Sequence, residues 1–208
     1  GARRCGREGG REAGARGVVE REQRTRRAAE ESVTPARATG EMGIIGNCAP
    51  MQDLCGKIRK VAPTDSTVLS QGESGTGKEL VARMIHKKSA RAAGPFVALN
   101  AATITPDRME IALFGTEGTP GQPRKIGALE EAHRGILYLD VVGEMPRETQ
   151  NKILRVLVDQ QFERVGGSKR VKVDVRIISS TAYHLENLIA EGIFREDLYH
   201  RLAVVPVK

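Results

Sequence analysis

The chain has 208 residues, enough for one domain with a substantial core, and a net charge of +7. It contains no apolar run of membrane-spanning length and no signal peptide at its start, so we expect a cytoplasmic protein with no membrane partner. The charge does not indicate a nucleic-acid-binding domain, because residues 41–208 carry only +3 of it and aromatic residues make up 3% of the chain. Cys5, Cys48 and Cys55 are odd in number and lack the spacing of metal ligands, which favours a reducing compartment.

The first 40 residues differ from the rest of the chain in composition. They contain 10 Arg and 6 Glu but no Leu, Ile, Met, Phe, Tyr or Trp. Such a segment cannot bury enough apolar surface to offset the entropy of the ordered chain. We therefore predict a disordered basic linker or tail over residues 1–40 and a folded core over residues 41–208. An arginine-rich arm that binds nucleic acid is the functional alternative for the tail.

After residue 40 the sequence alternates amphipathic helices with short apolar strands. The predicted helices are PMQDLCGKIRKVAP, KELVARMIHKKSA, TPDRMEIALFG and RETQNKILRVLVDQ. The predicted strands are TVLS, FVALN, GILYLD and, as the last core strand before LENLIAEGIFREDLYHRL, VRIIS, with a hairpin in FERVGGSKRVKVD. Thr105 is the expected N-cap of the third helix, and the second helix is expected to turn inward Leu80, Val81, Met84 and Ile85. Strands that alternate with helices predict a parallel sheet covered on both faces, and such sheets bind ligands at the carboxyl ends of their strands.

The segment GESGTGKE follows a predicted strand and precedes a predicted helix. It fits the phosphate-loop pattern G-x-x-x-x-G-K, but Glu79 stands where Ser or Thr usually binds magnesium. Glycines allow the backbone to wrap a phosphate at a helix N-terminus, and Lys78 would neutralise the β- and γ-phosphates. A glycine-rich turn with an exposed lysine is the structural alternative. The predicted ATP-binding residues are Gly72, Glu73, Ser74, Gly75, Thr76, Gly77, Lys78 and Glu79.

The segment GILYLDVVGEMP contains a strand that ends in a carboxylate. Downstream of a phosphate loop, Asp140 at the end of this strand is the predicted Mg²⁺ ligand. Proteins that hydrolyse ATP usually place a second acid directly afterwards, and here that position is Val141. A valine can neither accept a proton nor orient water, so we expect hydrolysis to be impaired.

Seven segments together are similar to one known family. In order they are GESGTGKELVARMIH, FVALNAATI, LFGTE, GALEEAHRGILYLD, GEMPRETQNKILRVLVDQQFERVGG, VKVDVRIISST and GIFREDLYHRLAVVPV. They resemble the AAA+ domain of the bacterial sigma-54 activators, the NtrC-like response regulators, over residues 43–208. FGTE, PRKIGALEEAH, ILRVLVDQ and RIISSTA are similar to the NtrX-like branch. The resemblance implies an α/β fold, the P-loop AAA+ three-layer sandwich with a parallel sheet, in a regulator of transcription within a two-component system.

The resemblance also implies roles for three residues outside the phosphate loop. Asn100 matches the asparagine that holds the family's catalytic glutamate until the γ-phosphate is sensed. Arg195 and Arg201 match arginines that reach the ATP of a neighbouring subunit, which implies self-association into a ring. From the residues alone, a solvated or salt-bridged role would be the expected one for both arginines. The RNA polymerase machinery is the implied partner.

The sequence departs from the family at three places. The catalytic glutamate falls at Val141, with Glu144 as a weak substitute, and the polar sensor after VRIIS falls at Ala182, where Thr181 could replace it in part. The loop at residues 115–126, GTEGTPGQPRKI, lacks the GAFTGA motif that contacts the sigma factor, as in the NtrX-like branch. We expect it to be a surface loop rather than a replacement partner site.

The ends of the chain lack parts that the family carries. The chain starts at Gly1 rather than Met and stops at Lys208, before the family's helical lid and DNA-binding helix-turn-helix, and no receiver domain precedes residue 40. We expect a fragment that would contact DNA only through the missing C-terminal domain. The predicted function is an ATP-binding regulatory module with weak hydrolysis; the alternatives are an active AAA+ ATPase that remodels sigma-54 RNA polymerase and a non-functional truncated fragment.

Overall fold

The computed structural model of the protein describes residues 48–207. The prediction of a disordered basic tail over residues 1–40 lies outside these residues. The helices and strands are α1 (Ala49–Val61), β1 (Val68–Gln71), α2 (Lys78–Lys88), β2 (Phe96–Asn100), α3 (Pro106–Phe114), α4 (Ala128–Glu131), β3 (Ile136–Asp140), α5 (Arg147–Asp159), β4 (Gln161–Glu163), β5 (Arg170–Lys172), β6 (Arg176–Thr181), α6 (Leu185–Ala190), α7 (Glu196–Leu202) and β7 (Val205–Val207). Short 3₁₀ helices, Ala101–Thr103 and Val142–Glu144, follow β2 and β3.

Five strands form one parallel sheet in the order β2-β3-β6-β1-β7. Asn100 on β2 lies opposite Asp140 on β3, and Ser70 on β1 lies opposite Ser180 on β6. The carboxyl ends of β2, β3, β6 and β1 therefore meet at one edge of the sheet. The predicted hairpin is also present, since β4 and β5 form a separate antiparallel pair.

The sheet has apolar side chains on both faces. Along β3 successive side chains point to opposite faces, and Ile136, Leu137, Tyr138 and Leu139 are all at most 1% exposed. Leu137 and Leu139 pack into the large apolar cluster that includes residues of α3, α5 and α7. Two further helices pack on the sheet: α2 contacts β3 and β6, and α1 contacts β7. Helices thus cover the sheet as the predicted three-layer α/β fold requires.

The predicted helix caps and faces are present with one exception. Thr105 occupies the N-cap position of α3, although its side chain makes no capping hydrogen bond. Val81, Met84 and Ile85 are buried in α2 as expected, but Leu80 is 48% exposed, so its predicted inward position is wrong. The buried stripe of α2 runs through Val81, and Leu80 lies one position off that stripe in the first turn of the helix.

The end of the chain contains two features that the sequence analysis missed. VRIIS is not the last strand, because β7 adds a further parallel strand beside β1. It escaped prediction because it has only three residues, including Pro206, a residue that sheets accept mainly at an edge. The segment LENLIAEGIFREDLYHRL forms two helices, α6 and α7, and the chain between them contains Gly192, whose φ of 73° is left-handed.

The loop at residues 115–126 is exposed at its tip, as expected of a surface loop, and anchored at its base. Thr116 forms isolated β-bridges to Lys125 and Val165. The buried guanidinium of Arg164 binds Glu130 at 2.7 Å and Glu117 at 3.0 Å. Its hydrogen bond to Glu130 lowers the pKa of that carboxyl, so the pair is ionised at neutral pH. Arg164 therefore joins Glu117 of the loop to Glu130 of α4.

Arg176 is a second buried cation, 2% exposed, at the start of β6. Its guanidinium donates to the carbonyl oxygens of Val61 (2.9 Å), Ala62 (2.8 Å) and Ser66 (3.0 Å). Burial lowers the pKa of Arg176. The side chain joins the C-terminal end of α1, where a cation suits the helix dipole, to the middle of the sheet.

Candidate functional site

The phosphate loop lies between β1 and α2, the context that the sequence predicted. Gly75 and Gly77 have φ values of 81° and 86°, in the left-handed region that glycine adopts without steric cost. The Thr76 hydroxyl donates to the carbonyl oxygen of Glu73 at 2.8 Å, which closes the turn. Helix α2 begins at Lys78 directly after the loop, so its first N–H groups and its positive dipole end face the loop. This arrangement suits an anion.

The two charged residues at the end of the loop, Lys78 and Glu79, make different contacts. Lys78 Nζ donates to the carbonyl oxygens of Gly72 at 2.8 Å and Glu73 at 2.6 Å, so its ammonium group lies over the loop backbone. The Glu79 carboxylate instead accepts from Arg83 Nε at 2.9 Å and Nη2 at 2.7 Å, one turn along α2. Glu79 is therefore turned along the helix surface and does not take the place of the missing hydroxyl.

Asp140 lies at the carboxyl end of β3 and accepts hydrogen bonds from three side chains. Asn100 Nδ2 donates to Oδ2 at 3.0 Å. The Tyr138 hydroxyl donates to Oδ1 at 3.2 Å, and the Ser180 hydroxyl donates to the same oxygen. Burial, followed by the charge and hydrogen bond of Asp140, raises the pKa of Tyr138, so its hydroxyl stays protonated. One carboxylate is thus held in a single orientation at the edge that carries the phosphate loop.

Val141, the residue after Asp140, is half-buried and has left-handed backbone angles, φ 55° and ψ 49°. This conformation is rare for a β-branched residue. Its N–H donates to Ser180 Oγ at 3.4 Å, and its aliphatic side chain offers no acceptor to water. Glu144, the candidate substitute, is exposed, and its carboxylate raises the pKa of the Tyr183 hydroxyl through a hydrogen bond.

The polar residues after β6 are also engaged. Thr181 is 1% exposed, and its hydroxyl accepts from the Tyr183 N–H at 3.0 Å and donates to the Tyr183 carbonyl at 3.1 Å. Ala182 is exposed and has no polar side chain. The hydroxyl of Thr181 therefore closes a local turn in this structure.

Arg195 and Arg201 do not join the cluster around Asp140. Arg195 is the N-cap residue of α7 and binds Asp197 and Asn151. Arg201 is exposed, and its carbonyl oxygen accepts from Thr67, the residue before β1. Because the phosphate loop follows β1 at its other end, Arg201 lies on the side of the strand away from the loop of its own chain.

Three residues that the sequence analysis did not single out also shape the site. Tyr138 could have been found from strand alternation, since it is two residues before Asp140 and shares its face. Ser180 could not have been found in this way, because its contact with Asp140 depends on which strand lies beside β3. Gln150, fully buried in α5, accepts from the Arg195 N–H at 2.9 Å and donates to the Met145 carbonyl at 2.7 Å. It joins the start of α7 to the turn after Val141.

A parallel sheet with a glycine-rich phosphate loop after β1, and an aspartate at the end of a nearby strand, defines the P-loop NTPase class of α/β domains. Within that class, residues 44–208 match the sigma-54 interaction domain, and the chain belongs to this family.

Several regulatory proteins are similar to this chain. The nitrogen assimilation regulatory protein NtrX of Azorhizobium caulinodans is 54% identical over 191 residues, which are 92% of this chain and 42% of that protein. The transcriptional regulator NtrC of Escherichia coli strain K12 is 50% identical over 167 residues, 79% of this chain and 36% of that protein. Crystal structures of NtrX from Brucella abortus in complex with ADP and with ATP are 63% identical, with a TM-score of 0.76, over 91% of this chain and 40% of that chain.

The chain spans about two fifths of the length of these relatives. Between residues 48 and 207, none of the helices has the length and apolar character needed to cross a bilayer. The same residues contain no group of three or more His, Cys, Asp or Glu side chains able to hold a metal ion.

Proposed function

We propose that this chain is the ATP-binding AAA+ module of a two-component transcription regulator similar to NtrX, and that it holds ATP but hydrolyses it poorly. The observation that carries the proposal is Val141 directly after Asp140, in a site that keeps the glycines and the lysine of a phosphate loop. The ADP and ATP complexes of the Brucella abortus NtrX support nucleotide binding by a closely similar sequence. We propose the roles of the individual site residues on the same grounds.

The residues fit a nucleotide with a magnesium ion. The N–H groups of residues 72–79 and the Lys78 ammonium would bind the phosphates. Mg²⁺ commonly uses one or two carboxylates together with substrate phosphates, and Asp140 supplies one carboxylate at the right edge of the sheet. The ion would neutralise phosphate charge. Glu79 contributes through the backbone of the loop, since its carboxylate binds Arg83.

The residues around the site bind and orient rather than move protons. Asn100 would sense the nucleotide through its amide, which in this structure donates to Asp140. Efficient hydrolysis needs a group that accepts a proton from water or aligns it, and loss of such a group costs about 10²–10⁴-fold in rate. Glu144, engaged with Tyr183, does not fill that role.

The proposed assembly and partners rest on the family and are supported by the position of Arg201. Arg201 lies away from the phosphate loop of its own chain, which favours action on the nucleotide of a neighbouring subunit. We propose that the full-length protein forms a ring in which Arg195 and Arg201 complete the neighbour's site. The RNA polymerase machinery is the proposed target, DNA contact would come from regions outside this chain, and the cytoplasm is the proposed location.

The leading alternative is an active ATPase that remodels sigma-54 RNA polymerase; the family supports it, whereas Val141 opposes it. The second alternative is a fragment without a competent site. A measurement of nucleotide binding distinguishes a fragment without a competent site from the other two functions. A measurement of ATP turnover distinguishes the active ATPase from the proposed function.

Replacing Lys78 by alanine should weaken ATP binding by about 10- to 100-fold, because a charge-assisted hydrogen bond contributes about 1.5–3 kcal/mol. The measurement is an equilibrium titration of the 208-residue chain with ATP and Mg²⁺. Lys57→Ala, on the exposed surface of α1, is the matched control and should bind as the unchanged chain does. Equal affinity in Lys78→Ala would remove the phosphate loop from the proposal, and no binding by the unchanged chain would favour the non-functional fragment.

A further inference from the structure

The Asp140 carboxylate has little hydrogen-bonding capacity left. An ionised carboxylate offers about four acceptor positions, two on each oxygen. The hydroxyls of Tyr138 and Ser180 both donate to Oδ1, and the Asn100 amide donates to Oδ2 at 3.0 Å. With these contacts within residues 48–207, one acceptor position, on Oδ2, remains open to a further partner.

The two hydroxyl donors are themselves held firmly. Tyr138 is 1% exposed, and its ring stacks on Phe96 with centroids 6.1 Å apart and planes inclined by 21°. Ser180 is fully buried on the central strand β6, and its Oγ also accepts from the Val141 N–H at 3.4 Å. Neither donor can move without disturbing the packing of the sheet, so Oδ1 cannot rotate away from them cheaply.

The contacts also explain how the turn after β3 is kept in place. Ser180 joins the carboxylate of Asp140 to the backbone of Val141, the residue with left-handed angles. A strained backbone conformation persists only where the surrounding structure over-determines it. The same hydroxyl thus sets both the direction of the carboxylate and the path of the chain that follows it.

We propose that Tyr138 and Ser180 are positioning residues that occupy Oδ1 of Asp140 and leave Oδ2 as the single oxygen for a nucleotide-bound divalent cation. The proposal rests on the proposed function, since it concerns the metal of the bound nucleotide. Partners that orient a metal-ligating carboxylate typically change metal affinity by about 10- to 100-fold when they are removed. Neither residue is expected to contact the nucleotide.

The test compares ATP affinity with Mg²⁺ and with a chelator in the 208-residue chain. Ser180→Ala and Tyr138→Phe each remove one hydroxyl, and each should reduce the ratio of the two affinities by about tenfold while the affinity in chelator stays unchanged. If the two hydroxyls act only in folding, their removal would alter both ATP affinities or the melting temperature, but the ratio of the two affinities would stay unchanged. Ser180→Thr, which keeps the hydroxyl, should restore the ratio.

Ser179→Ala is the matched control, because Ser179 is equally buried on β6 but donates to the Val68 carbonyl, away from Asp140. Its ratio should equal that of the unchanged chain. An unchanged ratio in folded Ser180→Ala and Tyr138→Phe, with ATP still bound, would overturn the positioning role and leave the proposed function intact. Failure of the unchanged chain to bind ATP under either condition would overturn both.

Discussion

Replacing Val141 by glutamate should raise ATP turnover by about 10²-fold or more in protein that assembles. The substitution places a carboxylate directly after Asp140, where an acid can accept a proton from water or align it. It should be tolerated, because glutamate is not β-branched and is less strained than valine at a φ of 55°. The measurement is the rate of phosphate release together with the mass of the oligomer.

Val141→Gln is the matched control for this experiment. Glutamine has nearly the same shape and can form hydrogen bonds, but it is a poor proton acceptor at neutral pH, so turnover should stay close to that of the unchanged chain. Lys78→Ala combined with Val141→Glu gives the background rate. If Val141→Glu and the unchanged chain turn over ATP equally, in oligomers of equal mass, the missing acid is not what limits hydrolysis.

Replacing Arg176 by methionine should lower the free energy of unfolding by about 3 kcal/mol. The guanidinium satisfies three carbonyl oxygens at the C-terminal end of α1, and methionine fills a similar volume without any donor. The Val61 carbonyl keeps a bond from Thr64, but Ala62 and Ser66 lose the contact that the structure gives them. A buried acceptor left unsatisfied costs about 1–3 kcal/mol, only partly offset by removing a buried charge.

Urea unfolding of the 208-residue chain measures this effect. Arg176→Lys keeps the charge but cannot reproduce the planar fork of donors, so we expect an intermediate loss. Arg108→Met changes an exposed arginine on α3 and should stay within about 0.5 kcal/mol of the unchanged chain. A loss for Arg176→Met as small as that of Arg108→Met would show that the three carbonyls do not depend on this side chain.

The parts of the site that lie on one segment were predictable from the sequence. The phosphate loop is a local pattern, and its glycines adopt the left-handed angles that such a turn needs. The meeting of Asn100 and Asp140 was predictable in outline, because both end strands of a parallel sheet and ligands bind at that edge. The predicted α/β fold with a parallel sheet is confirmed. It was predictable because hydrophobic periodicity distinguishes helices from strands in this chain.

Features that depend on strand order were not predictable. Ser180 reaches Asp140 only because β6 lies between β3 and β1, which periodicity cannot reveal. Strand β7 is too short to give a pattern and contains Pro206. Leu80 fits the apolar pattern of α2 but lies just beside its buried stripe, and a sequence alone does not set the width of that stripe.

The position of β1 inside the sheet has a consequence for synthesis of the protein. Its two neighbours are made late, because β1 ends at Gln71 whereas β6 begins at Arg176 and β7 at Val205. Until β6 and β7 have been made, both edges of β1 therefore stay open, and open strand edges are prone to mispairing. Strand β1, which leads into the phosphate loop, gains its first neighbour when β6 has been made and its second when β7 has been made. If the chain binds nucleotide as proposed, we expect binding to protect the newly made protein only once this sheet has formed.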